Sequence, residues 1–140
     1  MGLFLLSIKA LILALAEDIN YISIDTVYAH KERVEGSVDP RWYLINVLPD
    51  GISGECFIPG SISIPTHKLE KKLSNPKKWP RSRKIILYCA GADCPLSRYA
   101  YEIVKKLGFD DVQVLEGGIV EWIQNKLPVQ GACLFEYLKR

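Results

Sequence analysis

The chain has 140 residues, 49% hydrophobic and 24% charged, which suits one globular domain and leaves no room for a second of comparable size. A net charge of +2 excludes the strongly basic footprint of a nucleic-acid binder. Basic residues do gather between His67 and Lys84, where they read as a solvated surface.

In chain order, Leu3 to Ala16 is almost wholly apolar, broken by Ser7 and Lys9. It is shorter than the ~20 residues of a membrane span, so no stable span is expected. An apolar helix over residues 1–20 is predicted, ahead of a single domain over 21–140. The Ala14-Leu15-Ala16 ending imitates a signal-peptide cleavage site, but no positive charge precedes the run. The protein is therefore expected in the cytoplasm, with export the alternative if residues 1–16 are a signal.

Tyr21 to Asp25 reads as a strand or an extended lead-in, and the charged stretch His30 to Pro40 as a connection. Tyr43 to Leu48 is a compact apolar run of the kind buried in a parallel sheet. Pro49 to Gly54 marks a loop. Ile62 and Ile64 alternate with serines in a short strand that Pro65 closes. Leu69 to Leu73 allows a turn or two of helix, and Asn75 to Arg83 a surface loop. Ile85 to Tyr88 is the clearest strand, ending at Cys89. From Pro95 the period turns helical, with Ala100, Ile103, Val104 and Leu107 on one apolar stripe. Asp93 or Cys94 can cap this helix, Pro95 suits its first turn and Gly108 its C-terminal stop. Val112 and Val114 make another strand, Gly117-Gly118 a turn, and Ile119 to Asn125 a last helix carrying Trp122. Strands alternating with helices predict an α/β fold with a mostly parallel central sheet flanked by helices. In such sheets the ligand site lies at the carboxyl ends of the strands, where Cys89 stands.

The four cysteines are Cys56, Cys89, Cys94 and Cys133. No CxxC pair exists, so zinc is not expected, and a chain with this much core does not call for disulfide staples. Cys56 and Cys133 are isolated and read as structural or exposed. The chemistry concentrates in Cys89-Ala90-Gly91-Ala92-Asp93-Cys94-Pro95-Leu96-Ser97-Arg98. A loop leaving a buried strand for a helix turns backbone N–H groups inward and makes an anion cradle. A thiol at its mouth has a lowered pKa, and small residues at 90–92 let the backbone curl around whatever the sulfur carries. The alternative is that Cys89 is a small buried hydrophobe ending a strand.

Four ordered motifs resemble the rhodanese family. Leu44-Ile45-Asn46-Val47 resembles its first core strand, and Phe57-Ile58-Pro59-Gly60-Ser61-Ile62-Ser63-Ile64-Pro65 its His-Ile-Pro-Gly-Ala-Ile-Asn-Ile-Pro signature. Tyr88-Cys89 is similar to the strand that ends in the catalytic cysteine. Leu107-Gly108-Phe109 through Val112, Glu116-Gly117-Gly118-Ile119 and Trp122 resembles the closing segment. The resemblance covers roughly residues 40–130 and implies the rhodanese-like fold. It also implies sulfur transfer: the Cys89 thiolate takes a sulfane sulfur, becomes a persulfide and passes the sulfur on. Ala90 to Asp93 and Pro95 to Arg98 would cradle it. Such chemistry implies a small sulfur donor and a thiol or protein acceptor, with no cofactor, metal or nucleic acid.

The chain departs from the pattern at the site itself. Asn46 stands for the family's Asp, Leu48 for a frequent Arg and Phe57 for His. Cys94 takes the place of the arginine in the common Cys-x4-Arg-Ser loop, so the loop is less cationic and thiosulfate less suited to it. A cysteine phosphatase would need Cys-x5-Arg, and position 95 is proline. Two other readings remain open: a thiol-disulfide redox protein using Cys89 and Cys94, and a non-catalytic binding module. His30 and His67 have no motif around them.

Overall fold

The computed structural model describes residues 18–33 and 41–133. Its elements are β1 (Tyr21–Ile22), α1 (Ile24–Arg33), β2 (Trp42–Asn46), β3 (Ile62–Ser63), α2 (Leu69–Lys72), β4 (Lys84–Tyr88), α3 (Leu96–Lys106), β5 (Val112–Leu115) and α4 (Gly118–Gln124). The five strands are all parallel, in the order β1-β5-β4-β2-β3. The α/β fold with a parallel sheet flanked by helices is as the sequence predicted.

Strand alternation divides the core into two layers. On β4, Ile85 and Leu87 face one side, where Ala100 and Val104 of α3 and Leu69 beside them complete the packing. Ile86 and Tyr88 face the other, against Ile24 and Val27 of α1 and Ile119 and Trp122 of α4. Cys89 follows the odd-numbered face and joins the α3 layer. Central strands covered on both sides must be apolar throughout, which is why β2 and β4 read as continuous runs. Tyr88 at the end of β4 and Asn46 at the end of β2 are buried polar exceptions. Tyr88 anchors a neighbouring loop. Its buried hydroxyl accepts the Ile58 N–H at 3.0 Å and hydrogen-bonds Ser61 Oγ at 2.7 Å. That pins the loop before β3 to the sheet.

Several predictions need correction. Ile24–Arg33 is helix where an extended lead-in and a connection were expected, and β1 keeps only two residues. Residues 34–40 lie outside the described residues. So do residues 1–17 of the predicted N-terminal helix, while residues 18–20 are not helical. Neither Asp93 nor Cys94 caps α3: the cap position is Pro95, with no side-chain hydrogen bond. Gly108, at φ +97°, does end that helix in the left-handed conformation glycine tolerates. Among the described residues no helix is long and apolar enough to cross a membrane.

The expectation that no disulfide is needed also fails. Cys56 and Cys133 are joined across 77 positions of sequence. An antiparallel bridge, with hydrogen bonds between Phe57 and Gln130, carries the chain end back to Cys56. A cross-link spanning that length restricts the unfolded chain by about 4 kcal/mol in the chain-entropy account. Urea unfolding of the Cys56→Ala/Cys133→Ala variant should show a loss of that order, and an unchanged midpoint would mean the link is idle.

Candidate functional site

The cysteine loop is shaped from two sides. Within it, the Cys94 N–H donates to the Gly91 carbonyl at 3.0 Å, closing a turn over the small residues. From below, the first turn of α4 holds it, with Ile119 N–H donating to the Cys89 carbonyl at 3.1 Å and Val120 N–H to that of Ala90 at 2.9 Å. These bonds face the loop's carbonyls outward. They require Gly118, whose φ is +56° and where a Cβ would sit 2.4 Å from the Cys89 oxygen. The Gly117-Gly118 pair is thus the seat of the loop as well as a turn.

The two loop sulfurs differ sharply in environment. Cys89 is 1% exposed, and its sulfur lies 3.4 Å from both the Cys94 carbonyl oxygen and Ser97 Oγ. Cys94 is half-buried. The neighbouring Cys89 thiol is the largest influence on Cys94 and lowers its pKa to about 6 against the opposing effect of burial. The N–H groups of Leu96 and Ala90 and the nearby Arg98 charge act in the same direction. The Cys94 sulfur beside it, together with burial, pushes the Cys89 thiol up. The loop's N–H groups thus favour a thiolate on Cys94, while burial disfavours one on Cys89.

Beside the loop opens a cavity of about 610 Å³, lined by Ala90 to Cys94 and by Gly117, Val120, Glu121 and Gln124. Cys89 is not in its lining. The remaining predicted residues diverge. Pro95 is exposed at the start of α3, and Leu96 lines a separate apolar groove with Tyr99 and Ile103. Ser97 is buried against the Cys89 sulfur. Arg98 Nη1 donates to the Ala92 carbonyl at 3.2 Å, bracing the loop from outside. Sequence reasoning missed the wall formed by Val120, Glu121 and Gln124. The signal was available in Glu116-Gly117-Gly118, which fixes how α4 meets the loop.

Asn46, at the family's Asp position, is fully buried at the end of β2, and its Oδ1 accepts the Leu48 N–H at 3.1 Å. A neutral amide there does the local work of a carboxylate without bringing a negative charge to the strand ends.

Comparison with known proteins agrees with this architecture. The BH2092 protein from Bacillus halodurans is similar in structure, with a TM-score of 0.71 and 25% identity, over 90% of this chain and 85% of that one. A rhodanese-related protein from Thermoplasma volcanium is similar with a TM-score of 0.62 and 25% identity, over 79% and 97%. The Rhodanese-like domain from the Anabaena Alr3790 protein shares the fold, with a TM-score of 0.64 and 23% identity, over 81% and 80%. No match was found among curated proteins. The Rhodanese-like domain family matches residues 28–125, from α1 through α4. With that match over most of its length and these structural relatives, the chain belongs to the rhodanese-like domain family.

Proposed function

We propose that this rhodanese-like domain is a sulfurtransferase or sulfur carrier whose working unit is the Cys89–Cys94 pair, with Cys94 meeting the donor. The observation that carries this reading is the position of Cys94, an acidic thiol in the wall of the cavity, while Cys89 is covered. The sequence alone assigned attack to Cys89, and exposure and acidity favour Cys94. The Cys94 thiolate attacks the outer sulfur of a persulfide R–S–SH. The donor's S–S bond breaks, R–S⁻ leaves and takes a proton from solvent, and Cys94 becomes Cys–S–SH. An acceptor thiolate then attacks that outer sulfur, and Cys94 departs as the thiolate it was. The N–H groups of Ala90 and Leu96 favour the charge at both ends of the cycle.

The test is intact mass after incubation with thiosulfate, and separately with a persulfide donor, for wild type, Cys89→Ser and Cys94→Ser. A gain of one sulfur that cyanide removes, lost in Cys94→Ser and kept in Cys89→Ser, is the expected result. The reverse pattern returns the attack to Cys89, and no gain with either donor sinks the transferase reading. A second reading, thiol-disulfide exchange, is favoured by two free thiols that influence one another on the same loop. It predicts a reversible loss of two hydrogens on oxidation, abolished in either variant. A binding module would show neither.

The Cys56–Cys133 disulfide supports the exported alternative of the sequence reading, because such links persist in oxidising compartments.

A further inference from the structure

The cavity above Cys94 carries acid and no base. Asp93 and Glu121 are its charged lining residues, Gln124 adds an amide, and Ala90, Ala92 and Val120 make the apolar wall. Among the described residues, no lysine, arginine or histidine lines it. The Glu121 side chain folds back over the start of α4, where a Cβ on Gly117 would lie 1.6 Å from Glu121 Oε2. Gly91 of the loop faces the same turn, a Cβ there falling 3.6 Å from the Gly117 oxygen. One carboxylate therefore lies on the α4 side of the opening and the other, Asp93, on the loop beside Cys94. Arg98, whose charge acts on Cys94, donates to the Ala92 carbonyl and is not itself among the lining residues.

The volume suits a small molecule. An incoming donor meets two carboxylates as well as the thiolate, so a second negative charge on the donor is repelled and a positive one is drawn in. Resting on the reading of Cys94 as the donor-facing thiol, we propose that the cavity selects low-molecular-weight persulfides and disulfides whose non-reacting end is neutral or cationic. Asp93 and Glu121 are the residues that set this selectivity, and doubly anionic donors such as thiosulfate are disfavoured.

The experiment uses three symmetrical disulfides that share the reacting bond and differ in charge: cystamine, bis(2-hydroxyethyl) disulfide and dithiodiglycolate. In each case the Cys94 thiolate attacks one sulfur, the S–S bond breaks, and R–S⁻ leaves as a mixed disulfide forms on Cys94. Rates of formation of that adduct are read by mass and divided by the rate of the same probe with free N-acetylcysteine. After this correction cystamine should react fastest and dithiodiglycolate slowest, about tenfold or more apart at low salt. The spread should collapse in Asp93→Asn/Glu121→Gln and in 1 M salt, where screening is short-ranged. Equal corrected rates, a preference for the anion, or a spread that survives the double substitution would overturn the proposal. A flat ordering alongside a persulfide gain removes the selectivity and leaves sulfur transfer standing. The expected ordering without a persulfide gain does the opposite, keeping the charge filter and losing the transferase.

Discussion

Replacing Cys89 with alanine is expected to move the pH midpoint of Cys94 alkylation from about 6 up towards the ordinary thiol value of 9.0. The Cys89 thiol is the largest influence holding Cys94 down, and the Leu96 and Ala90 N–H groups and the Arg98 charge remain as smaller ones. Sign and readout both matter here. Below the midpoint Cys94 is protonated and unreactive, so the wild type should lose reactivity only as pH falls through about 6, and the variant at a higher pH. The rate at a single pH is a poorer measure. A thiolate of higher pKa is intrinsically more nucleophilic, with a Brønsted slope of roughly 0.4–0.5, and this recovers part of the lost thiolate fraction. The full profile with iodoacetamide, after circular dichroism has shown the variant folded, separates the two effects. Arg98→Gln should shift the midpoint in the same direction by less, because its charge is the weakest of the influences on Cys94. A Cys89→Ala midpoint still near 6 would mean that the second thiol does not tune the first.

Gly118→Ala should be among the most damaging single substitutions in the chain. The residue sits at φ +56°, and the new methyl would lie 2.4 Å from the Cys89 carbonyl oxygen and 2.7 Å from that of Ala90. The backbone conformation costs about 1 kcal/mol for alanine. Forcing two backbone segments apart adds roughly 1–3 kcal/mol. Gly108→Ala is the matched comparison: φ is +97° and nothing lies within 4 Å of the new methyl, so only the backbone part applies. Urea midpoints of the two variants should therefore separate by the steric part alone. Gly118→Ala should also release the loop from the Ile119 and Val120 N–H groups, so the Cys94 alkylation midpoint should rise with it. Equal destabilisation by the two variants would mean that the contact between α4 and the loop is easily relaxed.

The elements that were legible in the sequence are those whose burial left a simple mark. β4 is covered on both faces and shows as Ile85-Ile86-Leu87-Tyr88, and α3 buries Ala100 and Val104 at helical spacing. Helix α1 was not legible because its third inward position, after Ile24 and Val27, is a lysine. Lys31 is only 5% exposed, its stem packed along the fold and its ammonium donating to the Pro59 carbonyl. A charged residue that buries its stem erases the apolar stripe that periodicity detects. The cysteine loop was legible as a place, since strand, small residues and helix occur together. The division of labour between its sulfurs was not, because it depends on which of them α3 covers. The Cys56–Cys133 link was hidden for a related reason, since its partners meet only through a return of the chain end that no local pattern records.

The same link has a consequence for the order of assembly. It closes a covalent ring running from Cys56 to Cys133, which contains β3, β4 and β5. β2 lies outside that ring, yet in the sheet it stands between β4 and β3, and β3 has no other strand beside it. The ring by itself is therefore a frame with an empty slot, and the Trp42–Asn46 strand is the keystone brought in from outside it. A fragment beginning after β2 would keep its cross-link and its cysteine loop but not a continuous sheet beneath them. Early closure of the ring cannot substitute for the docking of the N-terminal third, which must arrive before the strand ends that carry the loop are fixed.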